Sequence, residues 1–364
     1  MIASTHNERR LVEHFIDALS ELPDVEAGLG KKELDGQQGD HDQHTHVDLN
    51  VAGKSFILNI NAKKAVYPRD VKQAIWQFRE ASQGRAKARG EKSLSFLVAE
   101  SISPGAKELL KRENIGFYDS GGSLYLPAPG AYLYIDKPPP KILAKSARAL
   151  FSGRRAQVLH ALLVHHQEWF GVTDLAQLAM VSAATTSQVL TELERFDWLV
   201  TRGQGPSKER HLSEPAALLD AWSKQLADTS PATPRRYFVP DIKADKLAIH
   251  IGEKFDTHNV QYAISHEIAA QFHAPFLSNI SQLRVRVQSG AETEDAINAL
   301  GARVVSEGHN LAIIEAKYPG ELLFRERVGG VWLASPIQIY LDLLRSEGRS
   351  KEMSEHFRKE RIGF

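Results

Sequence analysis

The chain has 364 residues, with 45 lysine and arginine residues against 45 aspartate and glutamate residues, and it contains no cysteine. Balanced charge excludes a global electrostatic attraction to nucleic acid, and the absence of thiols excludes disulfides and thiolate metal sites. No apolar run approaches the roughly 18–20 residues that a membrane helix needs, and the polar first ten residues predict no signal peptide, so we expect a cytoplasmic protein with no membrane partner.

Residues 1–140 have the pattern of an α/β domain, in which apolar residues recur at helical spacing or alternate as in strands. The predicted elements are helices over 7–22, 68–81 and 103–114, strands near residue 25 and over 47–51, 55–61 and 94–99, and a hairpin over 115–126. Three prolines at 138–140 cannot continue a sheet, so they predict the end of this domain.

The order αβββαβ, with Asp48 on one predicted strand and Lys63 at the end of the next, resembles the core of the PD-(D/E)XK nuclease superfamily, which includes Holliday-junction resolvases. In that family an aspartate and a second acid two residues before a lysine hold a divalent metal, and the lysine orients or activates the attacking water. The resemblance implies that Asp48 and Lys63 are catalytic and use Mg²⁺. However, Asn61 stands at the place of the second acid, so we predict a degenerate nuclease fold without a metal or cofactor.

Polar side chains on the two predicted helices of this domain could face the same surface; they are Glu8, Glu13, Gln73 and Gln77. Just before Asp48, the residues His41, His44 and His46 could bind zinc or nickel. The surrounding segment, 36–46, is polar and rich in glutamine and glycine, so we interpret it as an exposed loop and expect no metal site.

Residues 141–228 predict a winged helix-turn-helix. Helices are predicted over 154–165 and 214–226, and two shorter ones begin at the N-cap candidates Thr173 and Ser182. The helix that begins at Ser182 would be the recognition helix, which enters the major groove by its N-terminal end. Its candidate DNA-binding residues are Ser182, Thr185, Thr186 and Gln188, and those of the basic hairpin that follows are Arg202, Lys208 and Arg210. The alternative is an interaction domain with a solvated basic loop.

A second linker, 229–236, precedes a third domain over 237–364. Its predicted helices cover 259–272, 292–300, 336–344 and the charged C-terminus, and its predicted strands cover 237–239, 246–250, 283–287, 303–305, 311–315 and 331–333. The segment 331–358, VWLASPIQIYLDLLRSEGRSKEMSEHFR, resembles the terminal signature of type IV abortive-infection antitoxins of the AbiEi kind, which join a winged helix to a nucleotidyltransferase-like domain.

Residues 262–287 are similar to the start of such a transferase fold, in which a Gly-Ser pair precedes a strand bearing two metal-binding acids. Here Ser265-His266 and Gln282-Leu283-Arg284 occupy those places. Without acids the segment cannot hold the magnesium that nucleotidyl transfer requires, so we expect no transferase activity.

The sequence therefore predicts a multidomain α/β protein with a restriction-endonuclease-like domain, a central winged helix and a degenerate nucleotidyltransferase-like domain. Three functions compete: a DNA-binding transcription regulator of antitoxin type, a structure-selective DNA nuclease, and an antitoxin that acts only through protein contacts. We favour the first, with double-stranded DNA and a cognate toxin as partners, because each enzyme-like domain lacks an acid while the wing keeps its basic residues.

Overall fold

The computed structural model describes residues 2–30, 45–85, 92–137, 149–227, 233–346 and 348–364. Over these ranges the protein is a mixed α/β structure with twelve α-helices and two seven-stranded mixed sheets. The chain divides into two compact units: unit 1 comprises Met1–Ser146 and Glu192–Asp197, and unit 2 comprises Ala147–Thr191 and Trp198–Phe364. No helix in the described ranges has both the length and the apolar composition needed to cross a bilayer.

Some sequence predictions fall on residues outside the described ranges. They are the histidines His41 and His44, the proline run at 138–140, and residues 229–232 of the second linker.

Unit 1 contains one seven-stranded sheet whose strands follow one another in chain order. Its elements are α1 (Ile2–Ser20), β1 (Val25–Leu29), β2 (Thr45–Val51), β3 (Lys54–Val66), α2 (Pro68–Arg85), β4 (Lys92–Ile102), α3 (Pro104–Arg112), β5 (Gly116–Asp119), β6 (Leu124–Ala128) and β7 (Ala131–Ile135). The three central strands β3, β4 and β5 are parallel, and the other neighbours are antiparallel. Helices α2 and α3 are therefore the crossover connections that parallel strands require.

Two apolar cores lie on opposite faces of this sheet. One core packs α1 against the sheet, where the Phe15 and Phe96 rings stack with centroids 4.6 Å apart. The other packs α2 and α3 through side chains such as Ala74, Phe78 and Leu110. The predicted cap of α3 is confirmed, because the Ser103 hydroxyl accepts the Ala106 N–H at 3.4 Å.

Unit 2 begins with three helices, a small sheet and a fourth helix. These are α4 (Gly153–Val164), β8 (Trp169–Phe170), α5 (Val172–Leu178), α6 (Ala183–Arg195), β9 (Leu199–Arg202), β10 (Glu209–Leu212) and α7 (Pro215–Ala227). The last four residues of α6 belong to unit 1 and the remainder to unit 2. Thr173 was wrongly predicted as the cap of α5, since the helix begins one residue earlier and its N-cap is Gly171.

The rest of unit 2 is built around the second sheet, whose order is β14-β11-β15-β13-β12-β17-β16. Its elements are β11 (Arg235–Phe238), α8 (Ala244–Thr257), β12 (Tyr262–Ser265), α9 (His266–His273), β13 (Leu283–Gln288), α10 (Ala291–Ala299), β14 (Arg303–Val304), β15 (Leu311–Ala316), β16 (Glu326–Val328), β17 (Val331–Leu333), α11 (Pro336–Leu343) and α12 (Ser350–Phe357). The β13–β15 and β12–β17 pairs are parallel.

Two predicted elements of this region were wrong. The segment predicted as a strand over 246–250 lies in α8, where Leu247, Ile251 and Phe255 are buried at helical spacing. The segment predicted as a helix over 259–272 contains β12 before α9 begins. All four residues of β12 are buried, and a strand buried on both faces reads as a continuous apolar run that periodicity cannot separate from a helix.

Candidate nucleic-acid interface

Helices α5 and α6 are joined by a tight turn that fixes the start of α6. The Val181 N–H bonds to the Ala176 carbonyl at 3.0 Å, and Met180 between them takes a left-handed conformation with φ 53°. The Ser182 hydroxyl then caps α6 by accepting the Thr185 N–H at 3.2 Å, as the sequence predicts.

The outer face of α6 carries small uncharged polar groups. Ser182 and Gln188 are exposed and Thr185 is half-buried. The inner face of the same helix is apolar and fully buried; it consists of Val189, Leu190 and Leu193. Helix α6 therefore has one exposed polar face and one buried apolar face.

Two more residues lie on this outer face and were missed from the sequence: the half-buried Ser187 and the exposed Thr191. Thr191 comes three residues after Gln188 and four after Ser187. This spacing is the signal that could have found them, because residues three or four apart share one face of a helix.

Thr186 is the first of two predicted DNA contacts that the structure contradicts. It has no exposed surface, and its hydroxyl donates to the Ser182 carbonyl at 3.2 Å. It lies three residues before Val189 and four before Leu190, and therefore on the buried side of the helix. Thr186 therefore stabilises the first turn of α6 and is not available for the predicted base contact.

The hairpin of β9 and β10 carries the predicted basic residues. Gly203 begins its tip with φ 74°, and a Cβ atom there would lie 2.5 Å from the Ser207 carbonyl oxygen. Arg202 and Lys208 flank this tip, with Arg202 exposed and Lys208 half-buried. The Arg202 Nε donates to the Glu209 carboxylate at 2.6 Å, so its charge is partly compensated by the opposite strand.

Arg210 is the second predicted contact that the structure contradicts. Only 8% of its surface is exposed, and its Nη1 donates to the Lys208 carbonyl at 3.3 Å. Residues along a strand alternate between faces, and Arg210 points to the covered face while Glu209 and His211 point to the other. The basic tip of the hairpin therefore consists of Arg202 and Lys208.

An aromatic group adjoins the tip and was missed from the sequence. The Trp169 ring stacks on His211 with centroids 5.2 Å apart, and the Arg202 guanidinium lies 4.4 Å from the Trp169 ring centroid. Trp169 belongs to β8, and the pairing of β8 with β10 brings it to the hairpin. No sequence pattern indicates this pairing, because β8 has only two residues.

The residues of the predicted nuclease site lie on one sheet of unit 1 but do not meet. Asp48 pairs with Ile57, so Asn61 is four residues further along β3 and Lys63 six residues further. At the rise of a strand these offsets correspond to about 13 Å and about 20 Å. Asn61 instead donates to Gln77 of α2 at 3.2 Å. The register therefore contradicts a common metal site for Asp48 and Lys63.

Strand β13 carries two arginines, the first of which, Arg284, ends the segment Gln282-Leu283-Arg284 that lacks the expected acids. Arg284 and Arg286 lie on the same face of β13, two residues apart. Arg284 Nη1 donates to both carboxylate oxygens of Glu267 at 3.0 Å, and Arg286 binds the two oxygens of Asp342 at 2.6 and 3.0 Å. Two guanidinium groups at these positions repel a divalent cation, and nowhere in the described ranges do three or more acidic or histidine side chains form a group that could hold one.

Asp342 is the centre of a buried polar network. It is 3% exposed, and it accepts hydrogen bonds from the Ser265 hydroxyl and from Gln338 Nε2 in addition to Arg286. Burial alone would raise the pKa of its carboxyl, but Arg286 and the neighbouring His266 outweigh burial and hold that pKa well below its usual range. The carboxylate is therefore ionised at all ordinary pH values.

Two buried histidines border this network. His160 of α4 bonds to the Ser335 hydroxyl, and burial lowers the pKa of its imidazole to about 4. His266 takes a left-handed conformation with φ 59° at the junction of β12 and α9, and burial also lowers its pKa to about 4. Both imidazoles are therefore neutral at pH 7.

Comparison of the chain with protein-family models, with curated proteins and with solved structures found no match. Function is therefore inferred from the side chains and their geometry. Of the arrangements described, the outer face of α6 and the basic hairpin that follows it have the chemistry of a ligand-binding surface, because their polar groups are exposed.

Proposed function

We propose that this protein is a DNA-binding transcription regulator that docks a winged helix on duplex DNA. The observation that carries the proposal is the outer face of α6, where Ser182, Gln188 and Thr191 are exposed at the N-terminal end and middle of a helix whose other face is buried. Short uncharged donors and acceptors at the start of a recognition helix are suited to base edges in the major groove.

The hairpin tip supports the same function. Arg202 and Lys208 supply positive charge on the hairpin that follows α6 in the chain, and phosphate contacts of this kind fix the position of a protein on the duplex. The exposed ion pair of Arg202 with Glu209 contributes only about 0–1 kcal/mol, so a phosphate can replace the carboxylate at little cost.

We further propose that the regulator is of antitoxin type, with a cognate toxin as its protein partner. This part rests on the likeness of residues 331–358 to the terminal signature of the AbiEi kind. The charge at β13 supports a domain that serves protein contact and not nucleotidyl transfer, since Arg284 stands where the resemblance would place an acid and Arg286 adds a second positive charge. We do not propose hydrolysis by unit 1, because Asp48 and Lys63 are separated along the sheet.

The test is a paired titration of Gln188→Ala and Lys208→Ala on a selected duplex and on its scrambled sequence at one salt concentration. If Gln188 reads a base, its replacement costs about 1–3 kcal/mol on the selected duplex and almost nothing on the scrambled one. Loss of Lys208 weakens both complexes and lowers the slope of log affinity against log salt by about 1.

Gln288→Ala is the matched control, since Gln288 is an exposed glutamine at the end of β13, and it should leave both affinities unchanged. Equal losses on both duplexes for Gln188→Ala would show that α6 does not read sequence. Absence of duplex binding by the unaltered protein would contradict the proposed function itself.

Glu209→Gln is expected to strengthen DNA binding severalfold at about 0.1 M salt. The change releases Arg202 for phosphate and removes a carboxylate that repels the duplex, so the salt dependence should also become steeper. Fluorescence anisotropy with a labelled duplex over a salt series measures both effects. Glu253→Gln, which removes the same charge from an exposed position on α8, should change neither; an equal gain there would mean that net charge alone explains the result.

A further inference from the structure

Strand β7 is the last strand of the sheet in unit 1, and among the described residues only β6 pairs with it. An edge strand exposes backbone donors and acceptors, and proteins usually protect it with a charged side chain, a proline or a short length. The edge strands β1, β9, β14 and β16 each carry a charged residue, and the edge strand β8 has only two residues. Strand β7, with the sequence AYLYI, has five residues, no charge and no proline, so its edge is open to another strand.

The hydrogen bonds of the neighbouring strands show which backbone groups of β7 face this open edge. The Asp119 N–H donates to the Ser123 carbonyl at 3.0 Å, so these two residues face each other at the turn between β5 and β6. Facing pairs alternate along an antiparallel ladder, so Tyr125, two residues further along, also directs its backbone groups to β5. The backbone groups of Tyr134, which pairs with Tyr125, and of Tyr132 therefore point away from β6. Two N–H and two C=O groups thus face the open edge.

The same two tyrosines supply an aromatic surface beside the edge. Tyr132 is 67% exposed and Tyr134 is 41% exposed, and both rings pack edge-on against Tyr125, with centroids 5.7 and 6.1 Å away. The Lys111 ammonium lies 4.9 Å from the Tyr134 ring centroid and donates to its hydroxyl at 3.3 Å. Rings that are already held in one position lose little conformational freedom on binding, so this surface is suited to an interface.

A second copy of the same strand fits this edge about a twofold axis at Leu133. In the antiparallel register centred on Leu133, Tyr132 of one copy lies opposite Tyr134 of the other, so the outward backbone groups of both strands meet. The four rings then lie on one face as two cross-strand aromatic pairs. A shift by one residue would place the tyrosines of the two copies on opposite faces, so the side chains specify the register.

The charges at the ends of β7 are complementary in this register. Asp136 follows the strand and lies opposite Gly130 of the other copy; its contact with Lys107 at 3.5 Å leaves 59% of its side chain exposed. The exposed Lys54 ammonium donates to the Gly130 carbonyl at 3.3 Å. Each end of the paired strands therefore brings a carboxylate of one copy near an ammonium group of the other, while the paired residues 131–135 carry no charge.

We propose that two copies of this protein associate through their β7 strands, which pair about this twofold axis and join the two sheets into one. The interface is short, with five residues in each strand, so the expected dissociation constant is on the order of 10 µM. The predicted DNA contacts on α6 and on the basic hairpin lie in unit 2, so the dimer does not depend on the proposed function.

Sedimentation velocity of the full-length protein from about 1 to about 100 µM measures the association, and the dimer fraction should rise across this range. Tyr132→Lys places a charge on the edge strand and should weaken the dimer at least about tenfold. Trp76→Lys is the matched control, because it makes the same kind of change at an aromatic side chain 62% exposed on α2 of the same unit. It should leave the association unchanged.

A charge exchange tests the register. Lys54→Asp and Asp136→Lys should each weaken self-association severalfold, because each homodimer then opposes like charges at both ends. A mixture of the two variants should recover the association, since both ends of the mixed dimer pair an acidic with a basic side chain. A mixture that associates no better than either variant alone would contradict this register.

Amide hydrogen exchange in the unaltered protein gives a readout that needs no substitution. The N–H groups of Tyr132 and Tyr134 should exchange more slowly as the protein concentration rises, while the Leu133 N–H, which faces β6, should change little. A monomer at about 100 µM, an equal loss of association in Trp76→Lys, or exchange at Tyr132 and Tyr134 that is independent of concentration would overturn the proposal.

Discussion

Replacing Asp342 by alanine is expected to lower the free energy of unfolding of unit 2 by about 3–5 kcal/mol. The substitution leaves the Arg286 guanidinium buried without the carboxylate that it binds through two hydrogen bonds. It also removes the acceptor of the Ser265 hydroxyl and of Gln338. The carboxylate that remains near Arg286 is that of the partly exposed Glu321 at 3.5 Å, which does not replace the two hydrogen bonds to Asp342. A buried charge that loses its main partner is among the most destabilising features that one substitution can create.

Urea unfolding followed by tryptophan fluorescence measures this change, because four of the five tryptophans lie in unit 2. The control is the double variant Asp342→Leu with Arg286→Met, which removes both charges and should recover much of the loss, since an apolar pair can replace a buried ion pair. A loss below about 1 kcal/mol for Asp342→Ala would mean that water reaches Arg286 and that the network is not buried in solution.

Acidification is expected to destabilise unit 2 between pH 6.5 and pH 4. The imidazoles of His160 and His266 have pKa values of about 4 in the folded protein, chiefly because of burial, against an ordinary value of about 6.5 in the unfolded chain. Above pH 6.5 both states hold the same number of protons, so stability is independent of these groups. Below it the unfolded chain binds protons that the folded protein does not, so stability falls as the pH approaches 4, by roughly 3 kcal/mol for each histidine.

The measurement is the urea midpoint as a function of pH, in the unaltered protein and in His160→Gln. Glutamine can still donate to Ser335 but does not titrate, so the decline between pH 6.5 and pH 4 should become shallower. It should not vanish, because burial also lowers the pKa values of His266, His273 and His309. His250→Gln replaces a partly exposed histidine of α8 and should leave the pH profile unchanged. Identical slopes for the unaltered protein and His160→Gln would show that His160 is protonated as easily in the folded state as in the unfolded state.

Local sequence signals were sufficient to predict helices that begin with a recognisable N-cap residue. The pair Ser103-Pro104 predicted the start of α3, and Ser182 predicted the cap of α6, because an N-cap depends on residues only a few positions away. The strand β12 and the helix α8 could not be assigned this way. Their apolar runs are compatible with more than one periodicity, and the choice depends on what packs against them.

The candidate site was predictable only in part for the same reason. Its location on α6 and the hairpin follows from local pattern, but the burial of Thr186 and Arg210 depends on the side of each element that faces the core. The ion pair of Arg286 cannot be predicted from local pattern either, because its partner Asp342 is 56 residues away in sequence. Spacing within one segment does not identify such a pair.

The hydrogen bonds of the Ser335 hydroxyl determine whether the winged-helix segment can be expressed apart from the rest of unit 2. It caps α11 by accepting the Gln338 N–H at 3.2 Å, and it also bonds His160 of α4, whose ring contacts Trp222 of α7. The cap of a helix in one predicted domain is thus part of the interior of another. A chain cut at residues 229–236 would expose His160 and Trp222 to water, so the winged-helix segment should be expressed and assayed together with the sheet that follows it.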